Sequence, residues 1–125
     1  MPTLPPARLK NRAEFLAARR GRRLNGPFFF IEALERADDA PARIGLTVTR
    51  KVGNSVERNR IRRRLREALR VSCRADMANG FDYVVVARRD VLTLPFATLT
   101  GELSRRLSKV RPKASPADKP PSGTE

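Results

Sequence analysis

The residues of this chain best equipped for chemistry are arginines, and they are concentrated. Between Arg50 and Arg70 lie nine basic residues (Arg50, Lys51, Arg58, Arg60, Arg62, Arg63, Arg64, Arg66 and Arg70) and two acidic ones, Glu57 and Glu67. That surplus of seven is half of the whole net charge of +14. A guanidinium is a planar, permanently charged fork that grips phosphate through two parallel hydrogen bonds and stacks on a base, which an ammonium does less well. Such a cluster recognises a polyanion, and nucleic acid rewards it by releasing condensed counterions.

Bond-breaking chemistry has little to work with. There is no histidine, the commonest general base and metal ligand. Gly-rich phosphate loops and helical pairs of metal-spaced carboxylates are missing too, and Asp38-Asp39 reads as turn chemistry. The single Cys73 permits no internal disulfide, which fits a reducing compartment, and it reads as a small buried hydrophobe. No stretch has the apolar length to span a bilayer. The N-terminal MPTLPPARLK lacks the apolar core of a signal peptide. A cytoplasmic protein with no membrane partner and no small-molecule substrate is expected.

The elements that must position the arginines follow from periodicity and caps. A chain of 125 residues suits one domain. We place it at residues 9–110, after a flexible N-terminus (1–8) and before a disordered, proline-rich tail (111–125). That tail carries four prolines and no large apolar residue. A first helix starts at Asn11, which forms a capping box with Glu14, and Gly21 can stop it. Arg19, Arg20, Arg22 and Arg23 form a basic knot at its end.

Phe28–Leu34 reads as a strand, with Phe28, Phe30 and Glu32 on one face and Phe29 and Ile31 on the other. Arg43–Arg50 alternates, with Ile44, Leu46 and Val48 inward. These two strands are expected to pair antiparallel across the Asp38–Pro41 turn. Tyr83–Ala87 is a short buried strand, and Phe96, Leu99, Leu103 and Leu107 recur at helical spacing behind a Thr93 cap. The expected fold is α+β, a small two-layer sandwich in the order α-β-β-α-β-α.

The second helix opens on an Asn54–Glu57 capping box, which also puts negative charge at the positive end of the helix dipole. With successive residues about 100° apart, Ile61, Leu65, Ala68, Leu69 and Ser72 share one arc, which packs on the sheet. Asn59, Arg62, Arg63, Arg66 and Arg70 fall opposite, Arg60 and Arg64 lie on a flank, and Arg58 projects near the apolar edge at the first turn. With almost no acidic interleaving, like charges this close repel by tenths of a kcal/mol per pair. The core face and an anionic partner must hold the helix.

The run Lys51-Val52-Gly53-Asn54-Ser55-Val56-Glu57-Arg58-Asn59-Arg60-Ile61-Arg62-Arg63 resembles the signature of the ribonuclease P protein family, whose mark is Arg58-Asn59-Arg60 after a strand with a basic end and a Gly-Asn turn. Arg8-Leu9, Phe15, Gly21, the Phe28 strand, Gly45 and Ala87-Arg88-Arg89 match in order, so the resemblance spans about Arg8 to Leu107.

The resemblance implies a ribosomal-protein-like fold with a left-handed βαβ crossover, an exception to the usual handedness. It implies that Arg58, Asn59, Arg60, Arg62, Arg63, Arg66 and Arg70 sit on a catalytic RNA subunit. A cleft between helix one and the sheet would hold the single-stranded 5′ leader of precursor tRNA, using Phe15, Arg19, Arg50, Lys51, Arg88 and Arg89. Mg2+ would enter through RNA phosphates rather than protein side chains, and the RNA would carry the hydrolysis. The chain departs from many relatives in placing Ala18 and Arg19 where a second aromatic follows the first, leaving Arg19 to stack in its stead.

The resemblance makes Phe15 a stacking platform, with simple core packing as the equal alternative. Two other classes share the charge. A ribosome-associated or RNA-chaperone module would not depend on one RNA partner for a defined cleavage. A DNA-binding regulator would carry more Asn, Gln, Ser and Thr on its recognition face than Asn59 alone.

Overall fold

A computed structural model of the chain describes residues 7–73 and 77–109, without the side chains of residues 72 and 73. The expected tail, Arg74, the side chains of Ser72 and Cys73, and all of the expected flexible N-terminus except Ala7 and Arg8 lie outside the described residues. Strand β1 (Ala7–Arg8) leads into helix α1 (Arg12–Ala18), then β2 (Arg22–Leu24), β3 (Phe29–Glu35) and β4 (Arg43–Thr47). A 3-10 turn (Arg50–Val52) precedes α2 (Ser55–Ala68), which runs on through a π turn (Leu69–Cys73). Strand β5 (Phe81–Ala87), a 3-10 turn (Arg89–Leu92) and α3 (Phe96–Leu107) complete the order. This is the expected α+β sandwich with two short strands added, and one of them, Ala7–Arg8, falls in the stretch assigned to a flexible N-terminus.

All five strands form one sheet in the order β1-β4-β5-β3-β2. The expected antiparallel pairing of β3 with β4 does not occur. Strand β5 lies between them, antiparallel to β3 (Phe30 opposite Val86) and parallel to β4 (Gly45 opposite Val84). The reason is burial: Phe81 to Val85 is buried without interruption, and a strand buried on both faces belongs at the centre of a sheet. The loop after β3 therefore bridges the start of β5. The Arg36 amide donates to the Gly80 carbonyl at 2.7 Å, and the Gly80 amide donates to the Ala40 carbonyl at 2.8 Å.

Both capping boxes form, with the Asn11 and Asn54 side chains accepting from the amides of Glu14 and Glu57 at 3.0 and 2.9 Å. Thr93 does not cap α3. It closes the preceding turn, its amide donating to the Asp90 carbonyl, and Pro95 takes the cap position with no side-chain bond.

The sheet's two faces are filled differently. One carries Phe29, Ile31, Tyr83 and Val85, sealed under Ile61 and Leu65 of α2 and Leu99, Leu103 and Leu107 of α3. On the other face the buried apolar cluster is small, Leu9, Ala18 and Val84, with Phe15 and Val86 half-buried beside them. Helix α1 lies there and covers part of the sheet.

Candidate nucleic-acid interface

Helix α1 is tied down by an ion-pair chain that the sequence does not announce. Asp82 is 1% exposed and points to the α1 face. It accepts from Arg43 through both oxygens, Nε at 2.8 Å and Nη2 at 2.7 Å, and from Arg36 Nη1 at 2.5 Å. Arg43 Nη1 in turn donates to Glu14 at 2.7 Å. Glu14 also caps the helix, accepting from the amides of Lys10 and Asn11. Those amides, Lys10 first, hold its carboxyl below the usual range, with a smaller contribution from Arg43. A buried carboxylate shared by two guanidiniums fits the rule that interior charge must be paired and hydrogen-bonded.

The next rung of the sheet carries Gly45, and Phe15 uses it. A Cβ at position 45 would stand 2.6 Å from the Phe15 ring and 2.9 Å from Leu9, so only glycine lets the ring lie on β4. Phe15 is thus anchored on one edge and half-exposed on the other. Phe15 is therefore packed against β4 without being sealed core. Gly21 lets the chain leave α1 close over β3, since a Cβ there would meet the Ala33 carbonyl oxygen at 2.0 Å.

Beyond Phe15 the sheet continues uncovered along Thr47, Val86 and Phe30, which share one rung and are each half-exposed. Arg23 of β2 places its guanidinium over the Phe30 ring, its central carbon 3.8 Å from the ring centre. Its Nε donates to Asn25 at 3.1 Å.

Because β4 and β5 run parallel, their C-terminal ends meet at one edge. Arg50 and Lys51 follow β4 there, and Arg88 and Arg89 follow β5, all exposed. They are not equivalent. The Arg88 side chain donates to the Pro27 carbonyl, at a long 3.4 Å. Arg89 grips Glu57 with both terminal nitrogens, at 2.9 and 2.8 Å, and donates to the Val52 carbonyl at 2.9 Å. Glu57 responds with a pKa lowered to about 2, chiefly by Arg89 and next by the Asn54 amide. Arg89 therefore clasps the β5 end to the start of α2. Arg19 stands apart from this edge, exposed at the far end of α1 beside β2.

Helix α2 presents the face that its periodicity predicts. Ile61, Leu65, Ala68 and Leu69 are buried, while Asn59, Arg60, Arg63, Arg66 and Arg70 are exposed and Arg62 half-exposed. Arg62 and Arg70 bond along the helix, to Asn59 at 3.4 Å and Glu67 at 2.7 Å. Arg58 folds back, its Nε donating to the Gly53 carbonyl at 3.1 Å. Arg64 reaches the Leu94 carbonyl and fastens α2 to the loop before α3. The residues missed from sequence are thus Arg43, Asp82, Gly45 as a seat, and the Arg23–Phe30 pair. The outward face shared by Phe30 and Glu32 was the one signal available for that pair.

Among the described residues no three His, Cys, Asp or Glu side chains come together as a metal cage. No helix among them is long and apolar enough to cross a membrane. Sheet and arginine helix together define a strongly basic α+β domain.

Comparison with known proteins makes that class specific. The Ribonuclease P family profile matches residues 5–111. The ribonuclease P protein component of Bartonella quintana (strain Toulouse) is 51% identical over 108 residues, covering 82% of this chain and 81% of that protein. That of Gluconacetobacter diazotrophicus is 54% identical over 103 residues, covering 82% and 89%. The solved RNase P protein from Thermotoga maritima superposes with a TM-score of 0.73 at 28% identity, over 84% of this chain and 98% of that one. The chain belongs to the ribonuclease P protein family. It is a subunit of a tRNA-processing endoribonuclease, a hydrolase whose catalysis lies in the RNA.

Proposed function

We propose that the two basic surfaces divide the work. The exposed face of α2 (Asn59, Arg60, Arg62, Arg63, Arg66, Arg70), with Arg58 at its base, sits on the catalytic RNA. The cleft beside α1 holds the single-stranded 5′ leader of precursor tRNA. Phe15 stacks on one unpaired base, since every base offers a π-face. Arg50, Lys51 and Arg88 hold leader phosphates at the strand ends, Arg89 keeps that edge against α2, and Arg19 flanks the far end of the cleft. The observation that carries this reading is Phe15 itself, seated on Gly45 and half-exposed beside an open, basic-rimmed strip of sheet.

The chain's described residues offer no cage for Mg2+. In this reading Mg2+ enters the holoenzyme on RNA phosphates, as the family resemblance implies. The protein raises affinity for substrate while the RNA breaks the bond, in the cytoplasm where precursor tRNA is made.

Reconstitution tests the reading. The purified protein is mixed with a bacterial ribonuclease P RNA at low magnesium, and leader release from precursor tRNA is followed. Protein-dependent cleavage at the mature 5′ end is expected. Cleavage by the protein with no RNA subunit, or tight RNA binding with no stimulation, overturns it.

A further inference from the structure

The basic knot Arg19-Arg20-Gly21-Arg22-Arg23 has no part in the ion pairs of the described residues. Arg23 stands out within it, because its guanidinium sits over an aromatic ring while the residue stays exposed. Phe30 itself is unusual, a large aromatic on the sheet face that α1 leaves open, half-exposed and next to Val86 on the same rung. Arg23 covers it at 3.8 Å and is exposed on its outer side. A guanidinium is planar and stacks on aromatic faces, and an exposed one held over a ring can extend that ring's surface to a nucleobase.

The position matters as much as the chemistry. Phe15 rests over β4, while Phe30 lies on β3 with β5 between them. Two strand spacings separate them, about 10 Å, so one base cannot reach both. Val86 and Thr47 floor the gap without charge. The chain also lacks a second aromatic on α1, where Ala18 is fully buried and Arg19, just past the helix, is exposed.

We propose that Arg23 and Phe30 form a second stacking platform for single-stranded RNA, taking a different unpaired base of the strand whose first contact is Phe15. The inference rests on the leader-binding reading of the cleft. Arg23 acts here through its plane and not only through its charge.

The test uses the full chain assembled with the ribonuclease P RNA and measures affinity for precursor tRNAs of graded leader length. Stacking on a protein platform is worth about 5-fold to about 100-fold in affinity per base. Arg23→Ala is expected to weaken long-leader substrates by a factor in that range, leaving a one-nucleotide leader and catalytic-RNA binding unchanged. Arg23→Lys keeps the charge and the salt dependence, and is expected to lose nearly as much as the alanine variant. Both variants change an exposed side chain, and equal melting temperatures confirm that the fold is intact.

Full recovery with lysine overturns the proposal in favour of a simple phosphate contact. So does a loss that ignores leader length, or no loss at all. Phe15→Ala run in parallel separates the two readings. If it too shows no leader dependence, the leader assignment of the cleft has failed. If Phe15→Ala alone shows it, only the second platform has.

Discussion

The two faces of the sheet are built from the same strands and end up opposite in character. On the α2/α3 side the side chains interdigitate until Ile31, Ile61, Leu65, Leu99 and Leu103 have no exposure at all. On the α1 side a seven-residue helix covers only part of the sheet, held by Asp82, Arg43 and Glu14 as much as by Leu9, Ala18 and Val84. The first arrangement maximises apolar burial, which is non-directional and drives folding. The second sacrifices burial to leave a strip of Phe15, Val86 and Phe30 within reach of a ligand. A small RNA-binding domain can leave that face open because the other holds the fold.

That contrast can be broken from either side. The largest effect belongs to the sealed face. Leu65→Ala should cost about 2–5 kcal/mol through lost transfer energy and a residual cavity, read as a drop in urea midpoint. On the α1 face, Asp82→Ala should cost about 3 kcal/mol, the lower part of the range for breaking a buried pair, because Arg43 is partly solvated. It should also loosen α1, visible as faster amide exchange across residues 12–18.

Gly45→Val sharpens the comparison further. It drives a side chain into the Phe15 ring, so the stacking contribution of about 1–3 kcal/mol per base should vanish from leader-dependent affinity, while catalytic-RNA binding persists. Arg66→Ala should leave stability within about 0.5 kcal/mol and lower the slope of RNA affinity against log salt by about one. An unchanged slope would remove Arg66 from the RNA-facing surface.

The smallest effect is acid-linked. Glu57 titrates near 2 in the folded chain against an ordinary 4.5, so its pairing with Arg89 stabilises fully above 4.5 and is lost as pH falls through about 2. Glu57→Gln should flatten melting temperature against pH over that window, and an unaltered profile would show that the clasp contributes nothing measurable.

Much of this protein was legible from sequence because the controlling rules are local. Capping boxes span three residues, so Asn11–Glu14 and Asn54–Glu57 announce both helix starts. Helical periodicity places Ile61 and Leu65 inward and Arg63 and Arg66 outward with no knowledge of what they face. The arginine surplus and the ordered run through Arg58-Asn59-Arg60 were enough to mark the family.

What the tertiary structure alone decided depends on contacts distant in sequence. Strand order was one such matter, since a turn-forming segment such as Asp38–Pro41 looks the same whether it joins neighbours or bridges over β5. Gly45 as the seat of Phe15, Arg89 as a clasp on Glu57, and Arg23 lying on Phe30 are others. Each joins residues whose partners are chosen by sheet register, and register is set by burial of the whole β5 strand between its two neighbours.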